Sequence, residues 1–259
     1  FNVGVGYSAG GAVTTGIRNT LIGGFAGDAL TDADDNVAVG QQSLSSDTLG
    51  SGAVAIGHNA LFSQNFTTAT TNYNVAIGYK TGESVTTGTN NTLIGGLAGD
   101  ALTTGSFNIA VGSGALGTED GNGKNVAIGY QALTVLNAGT DAFNVAIGQE
   151  SGHDLTTGVQ NVLIGGLTGD ALTDADENVA VGISALTSDT KGSRAVAIGA
   201  GALFTQNFTT ATNGYNVAVG YHAGNDITTG VQNVLMGGLA GDAITDADNN
   251  TAIGNAALS

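Results

Sequence analysis

Apolar and polar positions alternate along this chain in short bursts, and the bursts return at a fixed spacing. Each opens on Asn, passes through a β-branched residue, a small or leucyl residue and a second β-branched residue, and closes on Gly. Copies begin at Asn2, Asn19, Asn36, Ala53, Asn74, Asn91, Asn108, Asn125, Asn144, Asn161, Asn178, Ala195, Asn216, Asn233 and Asn250. They lie 17 residues apart, except for 21 after Ala53 and Ala195 and 19 after Asn125. Period-two alternation of β-branched residues predicts a strand, and a short unit repeated end to end predicts copies stacked on one another. The expected fold is all-β: a parallel β-solenoid or β-roll of 15 rungs, running as one continuous repeat region over residues 1–259.

The rung is numbered here from its Asn as position 1. Position 2 is Val, Ile or Thr, and position 4 is Val or Ile except at Met236, so these two share a face. Position 3 points the other way and is never polar: mostly Ala (Ala38, Ala76, Ala127), with Leu21, Leu93, Leu163 and Leu235. Both faces are therefore expected to be covered, the position 3 face being the outer one, shielded by assembly into a homotrimer. Position 5 is Gly in every copy, from Gly6 to Gly254, which predicts a corner of positive φ or a close approach of stacked backbones. The Asn of position 1 tolerates the left-handed region, and stacked Asn side chains are expected to form a ladder. A second short strand should follow the Gly, with a small residue at position 8 (Ala9, Ala26, Ser43, Ala60). Thr-Thr-Gly or Asp-rich turns then close the circuit. Such coils, stacked at about 4.8 Å, would span on the order of 70 Å.

Rungs also group in fours. Asn2, Asn74, Asn144 and Asn216 are offset by 72, 70 and 72 residues, and Leu61–Thr68 returns as Leu203–Thr210. Duplication of a large block is the simplest origin. Both ends fall inside a repeat without a cap, so a section of a longer fibre, or a subunit stacked on neighbours, is expected.

Composition narrows the function. The chain has 44 Gly, no Pro and no Cys, with 41% hydrophobic and only 10% charged residues, enough to bury a thin core. Its formal net charge of −16 argues against nucleic acid and anionic membranes as partners. No run of residues is long and apolar enough for a membrane helix, so no membrane insertion is expected. Disulfide and thiolate chemistry have no residues to use.

Asn125–Leu133 (Asn-Val-Ala-Ile-Gly-Tyr-Gln-Ala-Leu) and Asn250–Gly254 (Asn-Thr-Ala-Ile-Gly) resemble repeats of bacteriophage tail-fibre shafts. Val54–Gly57 and Val196–Gly199 are similar to the repeats of trimeric autotransporter adhesin heads. The likeness covers essentially the whole chain. It implies a left-handed parallel β-roll packed three around an axis, in an extracellular setting on a virion tail or a cell surface. The 17-residue period and the acidic turns depart from the adhesin pattern.

Candidate chemistry is sparse. Gly23–Leu30 approaches a calcium-binding Gly-rich nonapeptide, with relatives from Gly95, Gly165 and Gly237. Three of these continue into Thr-Asp-Ala-Asp, so Asp28, Asp32 and Asp34, Asp170, Asp174 and Asp176, and Asp242, Asp246 and Asp248 are the candidate Ca²⁺ ligands, against a plain solvated acidic turn. His58, His153 and His222 do not recur at matching positions, unlike a metal array. No Ser, His and Asp gather in a repeated constellation, and the Gly pairs are not followed by the Lys of a phosphate loop. No catalytic residue and no other cofactor is expected. Loop aromatics, Phe62, Phe66, Tyr73, Phe143, Phe204, Phe208 and Tyr215, are candidates for receptor or glycan contact or for packing between subunits. The leading expectation is a structural shaft or adhesin stalk that presents a binding tip. A self-polymerising filament is the alternative. An ice-binding solenoid is weaker, because Thr-Thr-Gly occurs mainly once per four rungs (Thr14, Thr86, Thr156, Thr228).

Overall fold

The computed structural model describes residues 1–259, which form a parallel β-solenoid with no helix. The chain divides into two compact units, Phe1–Asn125 and Val126–Ser259. The first stacks the strands Val3–Val5, Thr20–Ile22, Val37–Val39, Val54–Ile56, Val75–Ile77, Thr92–Ile94 and Ile109–Val111. The second stacks Val126–Ile128, Val145–Ile147, Val162–Ile164, Val179–Val181, Val196–Ile198, Val217–Val219, Val234–Met236 and Thr251–Ile253. Within each unit neighbours pair parallel and in register, so that Val145 faces Val162, Ala146 faces Leu163 and Ile147 faces Ile164. The 21-residue rungs do not disturb this register: Ala55 still pairs with Ala76, and Ala197 with Ala218.

The two faces of the strand are the reverse of the sequence expectation. Position 3 points inward: Ala38, Ala55, Ala76, Ala127 and Ala146 are fully buried within the chain. Positions 2 and 4 point out and none of them is buried. The reason is width. A coil of so few residues brings its walls together until the inner strand face has room for a methyl group or a single Leu. Leu enters only where position 9 is Gly, as Leu21 does against Gly27, and the strand side chains branched at Cβ lie outside.

The expected second strand is absent. Positions 6 to 11 form turns in which positions 7 and 9 are left-handed in every rung, including Leu44 (φ 53°), Gln131 (φ 53°) and Glu150 (φ 54°). Bonding along the stack nonetheless continues through the turns. In successive rungs Phe25 N donates to Tyr7 O, Gly27 N to Ser43 O and Thr31 N to Thr48 O. Left-handed residues thus bend the chain while the inter-rung ladder stays closed, which satisfies backbone groups that a bend would otherwise orphan. The only other strands are two-residue pairs that join the end of the preceding rung to the end of a longer one, Gly50–Ser51 with Thr70–Thr71 and Gly192–Ser193 with Thr212–Asn213.

Position 5 needs Gly on two grounds. Gly148 has φ 142°, and a Cβ there would lie 2.2 Å from the carbonyl oxygen of Gly165 in the next rung. The left-handed residue before the strand is the last of the preceding rung, position 17 in the 17-residue rungs, such as Gln160 (φ 60°), and not the Asn as expected. The Asn instead clasps the coil. Asn161 Nδ2 donates to Ala175 O at 2.7 Å across its own rung, and its Oδ1 accepts from Asn178 N at 3.0 Å in the next. The ladder is therefore mainly side chain to backbone.

In most rungs core volume is traded between positions 9 and 12, whereas the 19-residue rung buries both Leu133 and Leu136. Where position 9 is Gly27, Gly99 or Gly169, the buried Leu30, Leu102 or Leu172 at position 12 fills the space. A Cβ on Gly27 would come within 2.8 Å of Leu21 and Leu30. Where position 9 is Leu44, Leu61, Leu186 or Leu203, position 12 is polar: Asp47, Gln64, Asp189 or Gln206. Each buried Leu contributes roughly 1.5–3 kcal/mol, so one per rung already accounts for much of the stacking energy.

Candidate functional site: acidic turns, loop aromatics and the outer sheet face

The aspartates of the acidic turns serve as hydrogen-bond acceptors between rungs. Asp34 Oδ1 accepts from Ile17 N at 2.7 Å, Asp176 Oδ1 from Val159 N at 2.8 Å and Asp248 Oδ1 from Val231 N at 2.8 Å. Asp32 and Asp174 accept from the hydroxyls of Thr15 and Thr157 at 2.6 and 2.8 Å, and Asp246 from Thr245 at 3.3 Å. Asp28 and Asp170 face other partners, the hydroxyls of Ser45 and Thr187. Burial pushes the Asp170 carboxyl up, and the Thr187 bond opposes this. Asp242 Oδ1 is buried without a partner. No three His, Cys, Asp or Glu side chains converge in a group suited to a metal ion. The three candidate ligands of a turn are thus dispersed over separate hydrogen bonds.

Two of the loop aromatics are core residues. Phe66 and Phe208 are 6% and 5% exposed, correcting their reading as surface contacts. Their rings cover Gly50 and Gly192, where a Cβ would meet the ring at 2.8 and 2.7 Å. Phe66 O accepts from Leu49 N and Phe208 O from Lys191 N, both at 3.0 Å, so each Phe stands in the inter-rung ladder, which a local reading of the loop does not foresee. Phe62 is half-buried, while Phe204 is 37%, Tyr73 64% and Tyr215 48% exposed. Tyr215 accepts from Arg194 Nη1 at 3.1 Å.

Beneath each Phe lies a buried carboxylate. Asp47 Oδ1 accepts from Gly50 N and Phe66 N, both at 3.0 Å, and Oδ2 from Gln64 Nε2 at 2.6 Å. Gln64 Oε1 in turn accepts from Asn74 Nδ2 at 2.8 Å. Asp189, Gln206, Phe208, Gly192 and Asn216 repeat the arrangement. Burial raises both carboxyl pKa values, and the donated bonds oppose the rise. The network occurs where position 1 is Ala53 or Ala195, so the chain supplies polar side chains near the place where the Asn clasp is missing.

The histidines sit apart. His153 Nδ1 lies 2.6 Å from Asp154 Oδ1 and His222 Nδ1 2.7 Å from Asn225 Oδ1, while His58 stacks on Tyr79 at 5.5 Å. The hydroxyls of Thr14, Thr86, Thr156 and Thr228 donate along the stack to Thr31, Thr103, Thr173 and Thr245 carbonyls at 2.9–3.1 Å. The chain has no pocket.

Comparison of the chain with family models, with curated proteins and with solved structures gives no match. The surface itself is more informative. Val5, Ile22, Ile94, Ile109, Ile147 and Ile198 on the outer strand face are 36–57% exposed. No charged residue occupies positions 1 to 6 of any rung; all 21 acidic and five basic residues lie at position 7 or beyond. The sequence already contained this segregation. It becomes visible only once positions 2, 4 and 6 are known to face outward.

Proposed function

We propose that this chain is a structural segment of an extracellular fibre, a shaft or stalk on a virion tail or cell surface that holds a binding tip at a distance and assembles with copies of itself, as a homotrimer. The observation that carries this reading is the uniform rung: the same in-register strand, the same Gly corner and the same turn bonding recur with no pocket between them. A stack of equivalent rungs has stability close to additive in rungs, so length can vary without loss of fold. The reading assigns no catalysis to the chain, and contact with a receptor or glycan falls to a tip.

The test is deletion of one four-rung block, Asn144–Tyr215, which joins Phe143 to Asn216 in a register the chain already uses. The shortened chain should fold and lose about 19 Å of stack at roughly 4.8 Å per rung. Attachment through the tip of the intact fibre should persist. Loss of attachment or of any activity in a shortened fibre that still folds and assembles would overturn the spacer reading.

A further inference from the structure

We infer that the outer face built by positions 2, 4 and 6 is where a second copy of this chain docks, strands parallel and rung against rung, and that Gly24, Gly96, Gly166 and Gly238 set which rung meets which. The inference rests on the reading that copies associate, and it names the surface and its register.

Charge argues for a second copy. A chain of net charge −16 that meets itself must do so where it carries no charge, and this face is the long outward-facing stretch of every rung without Asp, Glu, Lys or Arg. A basic peptide would need acidic residues at positions 2, 4 or 6, and a polysaccharide would need polar groups across the face. Positions 2 and 4 offer only Thr20, Thr92 and Thr251 among Val, Ile and Met, and the other polar groups, such as Gln41, His58, Gln149 and the Tyr hydroxyls, are confined to position 6. Area agrees. Eight rungs at about 4.8 Å, each presenting about 20 Å of chain over six positions, give a footprint of about 770 Å² in the second unit, against the roughly 800 Å² per partner of a standard interface. A partner with the same rung spacing can place one outward Val or Ile against each of ours.

Register needs something more, because identical rungs permit slippage by one rung at little cost. The four glycines at position 6 break that degeneracy. A Cβ on Gly24 would meet nothing within 4 Å, those on Gly96 and Gly166 only a carbonyl oxygen at 3.9 Å, that on Gly238 the end of the Asn255 side chain at 3.1 Å, and none of the four has positive φ. The single chain therefore has no steric reason for Gly at the first three positions, and at Gly238 the close neighbour is only a side-chain atom that can turn away. Each lies between exposed apolar side chains: Ile22 and Phe25, Ile94 and Leu97, Ile164 and Leu167, Met236 and Leu239. The preceding rung carries Tyr7, Tyr79, Gln149 or Tyr221 at the same position. Rung against rung, the bulky layers of two copies meet each other and the empty layers meet each other once in four rungs, whereas a one-rung slip sets Tyr or Gln against Gly, so the two registers are sterically unequal.

The test uses the full chain, by sedimentation and cross-linking. Because it has no Cys, a single Val145→Cys reads the register directly. Parallel in-register copies should form a Val145→Cys to Val145→Cys disulfide, and a pair of Val145→Cys and Val162→Cys chains should cross-link less. Val145→Glu with Val179→Glu should leave circular dichroism unchanged and weaken association at least about tenfold. Gly166→Leu should also keep the fold while weakening association. If copies associate but these changes leave affinity intact and equal residues do not cross-link, the docking face is wrong while self-association stands. If Gly166→Leu alone has no effect, the register role of the glycines fails. A folded chain that sediments as a monomer at tens of micromolar overturns the docking inference together with the assembly reading. The spacer role is tested separately, by the block deletion.

Discussion

Ala146 and Val145 are neighbours in one strand and live in different solvents. Ala146 is fully enclosed by its own coil, whereas Val145 is only half-buried, on the outer face of the strand. Inside, tolerance is set by a wall a few ångströms away. Outside, the same backbone accepts a β-branched side chain. Within the strand, the Ala or Leu of position 3 marks the core, and the β-branched residues of positions 2 and 4 mark the surface.

The comparison breaks most visibly if charge is placed on each side. Ala146→Lys should cost at least about 4 kcal/mol, because an ammonium would be buried without a partner. Val145→Lys should change the stability of the isolated chain by about 0.5 kcal/mol or less. Urea denaturation of both variants at low protein concentration decides this, and equal losses would return position 3 to the outside.

Asn161→Ala comes next, at about 2 kcal/mol, since Ala175 O and Asn178 N each lose a buried partner. Chemical denaturation should show it. A loss below about 0.5 kcal/mol would mean that the clasp is not what closes the coil.

Asp47 and Asp189 sharpen the contrast from another side, as carboxylates held inside while nearly all others stay out. Their folded pKa values are raised by burial, so their contribution to stability is fully present below the unfolded Asp value of about 3.9 and is lost as pH rises through the folded value. Relative to an Asp47→Asn, Asp189→Asn double variant, the native chain should therefore be more stable at pH 4 than at pH 7. A stability difference independent of pH would show that the two carboxyls are not raised.

The smallest effect is expected outside, at the acidic turns. Asp32, Asp34, Asp174 and Asp176 already accept bonds from the adjacent rung. Melting temperatures in millimolar calcium and in chelator should agree. A rise of several degrees in calcium would restore the ligand reading of these turns through linkage.

The sequence by itself determined the period, the parallel stacking and the strand positions. Gly at every position 5 and β-branched residues at every position 2 and 4 but Met236 leave little else for the backbone to do. It also announced the position 5 corner, since only Gly recurs there. The sidedness of the strand was beyond it, because period-two alternation is unchanged when the two faces are exchanged. Sidedness follows from how tightly the coil closes, and that depends on left-handed turns at Leu44, Gln131 or Glu150, residues with no local preference for them. The same turns replaced the expected second strand while keeping its bonds. Phe66 and Phe208 went inside because their rings lie against Gly50 and Gly192 of the preceding rung, a contact between residues 16 apart that no local pattern encodes. Local chemistry chose the rung, and the closure of the coil decided which side of it faces the world.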